Sequence, residues 1–523
     1  MKNIKKLIFI GSFIMLQFAC TSDSIDLEPQ GAISSDVVFT DPAFAEAFLN
    51  RIYGSIPHGF ARGWYMLDAA SDDGENSYTW PASNTLFNQA NITSNNSPFN
   101  GLWGNAYFQI RRLNNFIQSY DQLEGTDEVN NRLKGEAHFL RGFWYSLLLQ
   151  TFGEVPLITV AQELDDDLLV SRDSKENVLN FITSELDTAA GFFVNAEEAT
   201  STRGSWDAAM ALKGRVLLYQ NKFSESAIAS KQVLDNTSRT LDADYQSVFL
   251  EDGASEVIFD TQFSDPDKGH WGNLFNTPKA SAAVSGWGGT GPTQNLIDQY
   301  EMQATGLLPS EAGSGYDASN PYTGRDPRFE ASILYDGSVW KGQTWEFRPG
   351  GNAGIQTSGD WTKTGYGMKK MIQEDRNHRD SGTQHWIHMR LAEVYLNYAE
   401  ALIEADTDLG LAVDAINVVR DRANMPFISV GSQSELRTKV RHERRIELAF
   451  EEHRFWDIRR WGIAGDPEVL TIYRVDMDAN GDLIDDGKEI WETRTWDDAN
   501  YLFPIPQGEI DKNPNLLPNN SGY

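Results

Sequence analysis

The sequence predicts a mainly α-helical protein, in which a tetratricopeptide-like scaffold of paired helices is interrupted by long loop-rich insertions with a few short strands. Apolar residues repeat at the 3.6-residue helical period in two blocks, at about residues 100–235 and 385–462. In both blocks the periodic stretches come in pairs joined by short turns. At about residues 59–100 and 252–379 the chain is instead rich in Gly, Asn, Ser, Asp and Trp, with little periodicity, which indicates loops on a helical frame.

Taking the chain in order, residues 1–19 have the layout of a secretory signal peptide. A short basic stretch precedes an apolar core of residues 7–19, which is too short to span a bilayer as a helix. Cys20 follows directly and is the only cysteine of the chain. We predict that the protein is cleaved before Cys20 and anchored there by acyl chains such as palmitate. A plain secretory signal that ends near a cysteine is the alternative, since Gln17 stands where lipoprotein signals usually carry Leu.

Residues 20–35 are polar and contain Pro29 and Gly31, which is typical of a tether between an anchor and a folded body. The remaining residues, 36–523, are predicted to form a single lobe. The net charge of the full chain is −31, and it becomes −34 when the three lysines of the signal peptide are removed. A chain this acidic repels nucleic acid and anionic lipid, so neither is expected as a partner.

The apolar periodicity predicts paired helices in each of the two helical blocks. The first block has a candidate helix at residues 103–117, an apolar stripe at 133–148 and two helices within 206–235 that flank a turn at 221–222. In the second block, stripes at 391–402 and 412–419 flank a turn at 406–410. Small residues at the expected crossing, Ala399, Ala401 and Ala415, favour the close helix pairing of tetratricopeptide-like repeats.

The insertions supply the candidate ligand-binding residues. An aromatic ring offers a flat apolar face to a sugar, and neighbouring amides and carboxylates take the sugar hydroxyl groups. On this ground the candidate residues are Trp64, Asp73, Tyr78, Trp80 and Trp287, although each could instead pack in the core. The tryptophans of the helical blocks are expected to be core residues. The insertions contain the other candidates for ligand contact, which are Trp64, Trp80, Trp271, Trp287, Trp340, Trp345 and Trp361.

Two stretches resemble nucleotide and calcium motifs. Residues 286–291 match G-x-G-x-x-G, but no hydrophobic strand precedes them and Pro292 follows, so we interpret them as a glycine loop before a helix that begins near residues 292–293. Residues 476–482 begin like an EF-hand loop, with oxygen ligands at Asp476, Asp478, Asn480 and Asp482. The twelfth position is a glycine instead of the required Glu, and Asn480-Gly481 is a strong hairpin-turn signal. We therefore favour a hairpin and keep a structural calcium ion as the alternative; no other cofactor is expected.

Charged groups are dense at residues 441–462, where six arginines alternate with five acids. An anion site is conceivable there, but local pairing at i, i+3 and i+4 into a network that fixes helices is the favoured interpretation. His378, His385 and His388 lie close in sequence, at what looks like a helix start near residue 386, and a metal site there is disfavoured. The sequence contains neither G-x-S-x-G nor H-E-x-x-H, so no catalytic residue is assigned. Glycosidases need only two carboxylates, so an anchored glycan-degrading enzyme stays an alternative.

Several motifs resemble those of the SusD/RagB family. They are LKGEAHFLRGFWYSLLLQTFGEVPLI (133–158), RHERRIELAFEEHRFWDIRRWG (441–462), TGPTQNLIDQYEMQATG (290–306), DPRFEASILYDGS (326–338), YLFPIPQGEIDKNPNLLPNNSGY (501–523) and, at the start of the mature chain, DLEPQGAIS. The resemblance implies a SusD-like fold and a lipoprotein of the cell outer membrane that faces the exterior. Such proteins bind an oligo- or polysaccharide, or less often a peptide or another nutrient, and act as a lid on a SusC-like TonB-dependent transporter. The motifs are scaffold residues and do not identify the ligand.

Overall fold

The computed structural model describes residues 39–61, 66–78, 83–194 and 200–523. The predicted signal peptide, Cys20 and the tether lie outside these residues. The long helices are α1 (Pro42–Tyr53), α3 (Asn100–Ser119), α4 (Asp127–Phe152), α5 (Lys175–Phe193), α6 (Trp206–Tyr219), α7 (Phe223–Asn236), α12 (Leu391–Glu404), α13 (Leu409–Arg422), α14 (Gln433–Glu447) and α15 (His453–Arg460). The short ones are α2 (Ser83–Asn88), α8 (Ser247–Leu250), α9 (Gly272–Asn276), α10 (Gln294–Ile297), α11 (Pro327–Ser332), α16 (Pro467–Leu470) and α17 (Gln507–Ile510).

Short antiparallel strand pairs complete the described chain. β1 (Gly74–Glu75) pairs with β3 (Gly291–Pro292), β2 (Val257–Thr261) with β8 (Trp386–Arg390), and β4 (Ile333–Leu334) with β7 (Gly367–Met368). β5 (Val339–Trp340) pairs with β6 (Gln343–Thr344), and β9 (Thr471–Met477) with β10 (Leu483–Thr493). Helices predominate, and the strands are few and mostly short, as predicted.

The long helices pack as stacked pairs. α4 packs on α5, α6 on α7 and α12 on α13, and α7 in turn packs on α12. Small residues allow the close approach: a Cβ on Gly214 would lie 2.7 Å from the Ser230 Oγ, and Ala399, Ala401 and Ala415 are buried in one cluster. This arrangement confirms the predicted tetratricopeptide-like scaffold. No helix in the described part of the chain is both long enough and apolar enough to cross a bilayer.

The second helical block begins differently from the prediction. Residues 386–390 form strand β8 and the helix starts only at Leu391. Four of the five β8 residues are buried, so the strand lacks the alternation of apolar and polar residues. Without that alternation, a sequence pattern cannot distinguish a strand from a buried helix. The histidines here have structural partners: His385 bonds the Asp260 carboxylate at 2.6 Å, and His388 bonds the Thr261 hydroxyl at 2.9 Å. Among the described residues no group of three or more His, Cys, Asp or Glu is placed to hold a metal.

The insertion between α7 and α12 contributes most of a second apolar core, which it shares with residues from other parts of the chain such as Phe60, Ile446 and Val475. Trp340 and Trp345 are fully buried in it, together with Tyr300, Phe347 and Tyr366. Of the tryptophans in the insertions, Trp340 and Trp345 therefore have the packing role that the sequence leaves open for each of them. Their aromatic rings are needed to fill the space between short strands that bury little surface on their own.

The stretch resembling an EF-hand is the turn of the β9–β10 hairpin, as favoured from the sequence. The Asp478 Oδ1 accepts hydrogen bonds from the backbone N–H groups of Asn480 (2.8 Å) and Asp482 (3.1 Å). Gly481 has a φ of +92°, which explains the glycine. The twelfth position, Gly487, lies within β10. Calcium binding by Asp476, Asp478, Asn480 and Asp482 stays a prediction.

A buried ion-pair network joins α14 and α15 to the rest of the protein. Glu447 is fully buried and lies 2.9 Å from Arg328 and 2.6 Å from Arg390, and it also pairs with Arg422. The prediction of a network is confirmed, but the expected local pairing is wrong for most of its members. Of the arginines in residues 441–462, only Arg444 and Arg460 pair with an acid of the same segment, Asp457. Glu443, Glu447 and Glu451 pair with arginines and a lysine from distant parts of the chain, because a buried charge requires a partner from whichever element packs against it.

Candidate functional site

We give the name aromatic surface to four partly exposed aromatic residues of the insertion, Trp271, Phe275, Trp287 and Trp361, of which Phe275 and Trp287 are in ring contact. Trp271 directly precedes α9, and its carbonyl accepts a hydrogen bond from the Phe275 N–H at 2.9 Å, so both side chains lie on the same side of one helical turn. The Phe275 and Trp287 ring centroids are 5.4 Å apart. Trp271 is 51% exposed and the other three residues are half-buried, so part of each side chain is open to solvent.

Tyr78 supports this surface from the interior. It is buried, and its hydroxyl donates to the Phe275 carbonyl at 3.2 Å. Burial, with a smaller contribution from Asp360, raises the pKa of Tyr78 well above its ordinary value, so the hydroxyl stays a proton donor. The predicted binding residues Tyr78 and Trp287 therefore meet around Phe275, one as a support and the other as a surface ring.

The glycine loop at residues 286–289 places Trp287 by lying directly against α9. The backbone N–H of Trp287 donates to the Leu274 carbonyl at 2.9 Å, and that of Gly288 donates to the Thr277 carbonyl at 2.8 Å. A Cβ on Gly286 would lie 2.3 Å from the Thr277 oxygen, so only glycine permits this approach. After β3, α10 begins at Gln294 with the Thr293 hydroxyl as its N-cap, close to the helix start that the sequence predicts.

The loop that carries Trp361 brings charged groups to the aromatic surface. Lys279 Nζ lies 3.3 Å from the Asp360 carboxylate and 5.9 Å from the centroid of the Trp361 ring. In the same loop, the buried Lys363 ammonium donates to the carbonyls of Gln356 (3.1 Å) and Gly359 (2.8 Å). These hydrogen bonds join the two sides of the loop. Burial lowers the pKa of Lys363. The Lys279–Asp360 pair is partly exposed, so both groups can exchange their mutual contact for ligand hydroxyl groups.

Residues 66–78 are fixed to α14 and α15 by buried carboxylates. The Asp68 carboxylate accepts from the backbone N–H groups of Phe450 (3.2 Å) and Glu452 (3.1 Å), and Asp72 pairs with Arg445 and Arg454 at 2.9 and 2.8 Å. Burial opposes the ionisation of Asp72, but the two arginines outweigh it and hold its pKa below the ordinary value. Helices α14 and α15 and the turn between them thus position the segment that ends at Tyr78.

The structure corrects the ligand-binding role predicted for Asp73. Its side chain is fully buried and accepts a hydrogen bond from the Arg445 Nε at 2.6 Å. A carboxylate in this position cannot meet a ligand at the surface, so Asp73 serves to position the segment. The ligand-contact role of Trp287 stays a prediction, while Trp64 and Trp80 lie outside the described residues.

Sequence reasoning missed Phe275, Lys279 and Asp360 at this surface. Of these, Phe275 had a detectable signal, because an aromatic residue four positions after Trp271 shares its side of a helix. Lys279 and Asp360 are 81 residues apart and carry no motif that relates them.

Comparisons with known proteins identify the family. The sequence profile described as "SusD family" matches residues 255–523, and the profile described as "Starch-binding associating with outer membrane" matches residues 34–218. SusD-like protein P2 of Formosa agariphila is 25% identical over 468 residues, which cover 83% of each chain.

Two solved structures from Bacteroides fragilis share the fold. A SusD-like protein aligns with a TM-score of 0.84 and 28% identity over 94% of this chain and 99% of its own. A SusD-like carbohydrate binding protein aligns with a TM-score of 0.81 and 27% identity over 92% of this chain and 100% of its own. These matches extend over almost the whole chain, in agreement with the motifs and the paired-helix scaffold. The chain belongs to the SusD/RagB family.

Proposed function

We propose that this protein is an outer-membrane lipoprotein, exposed at the cell exterior, that captures an oligosaccharide on the aromatic surface and delivers it to a SusC-like TonB-dependent transporter. The observation that carries the proposal is the contact between the partly exposed Phe275 and Trp287 rings, with Trp271 one helical turn before Phe275 and the partly exposed Lys279–Asp360 pair beside Trp361. The similarity to a SusD-like carbohydrate binding protein of Bacteroides fragilis supports it. The profile description of association with the outer membrane supports the location.

The geometry suits reversible capture without catalysis. Flat rings contact the C–H faces of successive sugar units, and the polar pair bonds their hydroxyl groups. An open surface buries only part of a ligand, so affinities in the micromolar to millimolar range are expected, which permit release to a transporter. In this proposal the oligosaccharide is passed on intact.

Trp287→Ala tests the binding site. We expect an affinity loss of about tenfold or more, equivalent to about 1.4 kcal/mol, because no other group replaces the ring face. Calorimetry against an oligosaccharide panel measures the loss, and an assay for reducing ends tests that the ligand is recovered uncut. The melting temperature should stay within a few degrees, since the ring is half-buried.

Trp491→Ala is the matched control, because Trp491 is also a half-buried tryptophan but lies in the β9–β10 hairpin against Arg474. It should bind like the wild type. Unchanged affinity in Trp287→Ala, or equal losses in both variants, would remove the aromatic surface from the binding site. Release of new reducing ends would instead favour the glycan-degrading alternative.

Cys20→Ala tests the anchor. The variant should move from the membrane fraction to the soluble fraction while its melting temperature is unchanged, since Cys20 precedes the folded body in the sequence. The fractionation is done in cells that lack the transporter, so that the partner cannot retain the protein. A variant that still sediments with outer membranes would contradict lipid attachment at Cys20.

A further inference from the structure

A second cleft lies on the helical scaffold, where the end of α4, the α6–α7 turn and α15 meet. Its volume is about 480 Å³, within the range of about 300–1,000 Å³ typical of small-molecule sites. None of the residues given above for the aromatic surface lines it. It therefore requires an explanation separate from the proposed oligosaccharide surface.

The charge of the cleft is opposite to that of the protein. Its lining residues, all of them within the described ranges, include Lys175, Arg459 and Arg460 and no Asp or Glu. Arg460 is neutralised outside the cleft by Glu400 and Asp457, each at 2.7 Å. The charges of Lys175 and Arg459 are left uncompensated, in a chain whose net charge is −31.

Arg459 is the unusual group. It is only 8% exposed, yet no carboxylate of the described chain pairs with it. The Nε donates to the Asn500 carbonyl at 3.3 Å and Nη1 to the Phe455 carbonyl at 2.8 Å, whereas Nη2 has no acceptor among the described residues. The guanidinium lies 3.7 Å from the centroid of the Phe455 ring. Burial lowers the pKa of Arg459 to about 9.

The other lining groups suit a polar ring. In the described structure the side-chain amides of Gln150 and Gln220, the Tyr501 hydroxyl, the Trp456 indole N–H and the Lys175 ammonium make no hydrogen bond to the protein. Gln150, Gln220, Trp456 and Tyr501 are half-buried and converge on one cleft. Amides and hydroxyls of this kind bond sugar hydroxyl groups, and the Trp456 and Tyr501 rings supply apolar faces.

We propose that this cleft binds a sugar ring that carries an oxyanion, a carboxylate or a sulfate group, with Arg459 and Lys175 as the anion ligands. Both anions accept charge-assisted hydrogen bonds from a guanidinium, and such bonds are stronger than those between neutral groups. The cleft is therefore expected to favour acidic over neutral sugars. A ligand that carries an anion but no sugar ring would make no contact with the amides and aromatic faces of the cleft.

The test compares three trisaccharides by calorimetry: galactotriose, trigalacturonate and a 6-sulfated galactotriose. The wild type should bind at least one acidic form about tenfold or more tightly than the neutral one, and the preference should shrink as salt is raised. Arg459→Gln should abolish the preference and Lys175→Gln should weaken it several-fold. Lys512→Gln removes the same charge at an exposed position outside the cleft, and it should leave the preference unchanged.

The variants keep the proposal falsifiable. Lys175 is exposed, so Lys175→Gln reports on the cleft even if Arg459→Gln fails to fold. Equal binding of neutral and acidic forms, no binding of either acidic form, or a preference unchanged in Lys175→Gln would overturn the proposal. Inorganic sulfate that binds as tightly as the sulfated sugar would show that no ring is recognised, with the same consequence. Trp287→Ala should keep the acidic preference, which separates this site from the proposed function.

Discussion

Glu447→Ala is expected to lower the free energy of unfolding by about 3–5 kcal/mol at neutral pH, because it removes one carboxylate that three buried arginines share and leaves an excess of buried positive charge. Glu447 is fully buried among Arg328, Arg390 and Arg422, on the last turn of α14. Chemical denaturation measures the loss. Glu509→Ala is the control: its pair with Lys512 is exposed and should contribute about 0–1 kcal/mol. Equal losses in the two variants would contradict a structural role for the network.

The same carboxylate makes stability depend on pH. Burial opposes its ionisation, but Arg422, Arg390 and Arg328 outweigh burial and hold the pKa of Glu447 well below the ordinary value of 4.5. Its contribution is therefore fully present above the ordinary carboxylate pKa and is lost as the pH falls through the lowered one. The unfolding free energy of Glu447→Ala should accordingly depend less steeply on pH in the acid range than that of the wild type.

Trp144→Ala should cost about 3–5 kcal/mol, because a fully buried tryptophan leaves a cavity that the surrounding helices cannot close. Trp144 lies on α4 with no exposed surface, in the core shared by α3, α4 and α5. Trp271→Ala is the matched control. That side chain is 51% exposed, and its removal should change the unfolding free energy by roughly 0.5 kcal/mol or less. Thermal and chemical denaturation measure both variants. Similar losses of unfolding free energy in the two would contradict the buried placement of Trp144.

The helix pairs were predictable because their information is local. The stripe at residues 391–402 and the turn after it specify α12 and α13 through apolar spacing alone. Strand β8 was not predictable, because a strand buried on both faces has no alternating pattern. The candidate site was predictable only in its residue types: Trp287 and Tyr78 suggest a binding surface, but the contact through Phe275 depends on how the insertion folds back.

The long-range pairs had no signal in the sequence. Nothing near Asp73 indicates that its partner would be Arg445, 372 residues later, and a carboxylate beside aromatic residues is equally typical of a sugar site. Burial decides between these roles, and burial is a property of the assembled core. The tryptophans of the insertions divide in the same way, with Trp345 inside and Trp271 outside.

The Asp72–Arg454 contact joins residues 382 positions apart, and α7 packs on α12 across the entire insertion. Contacts of such high contact order form slowly, since the entropy of closing a long loop is lost before the contact is gained. As the chain emerges from its amino terminus, α4 to α7 can pair early, whereas the segment that ends at Tyr78 waits for α15. We therefore expect the aromatic surface to be among the last parts to mature, after nearly the whole chain has emerged, and premature termination before residue 454 to leave a helical fragment without a formed ligand surface.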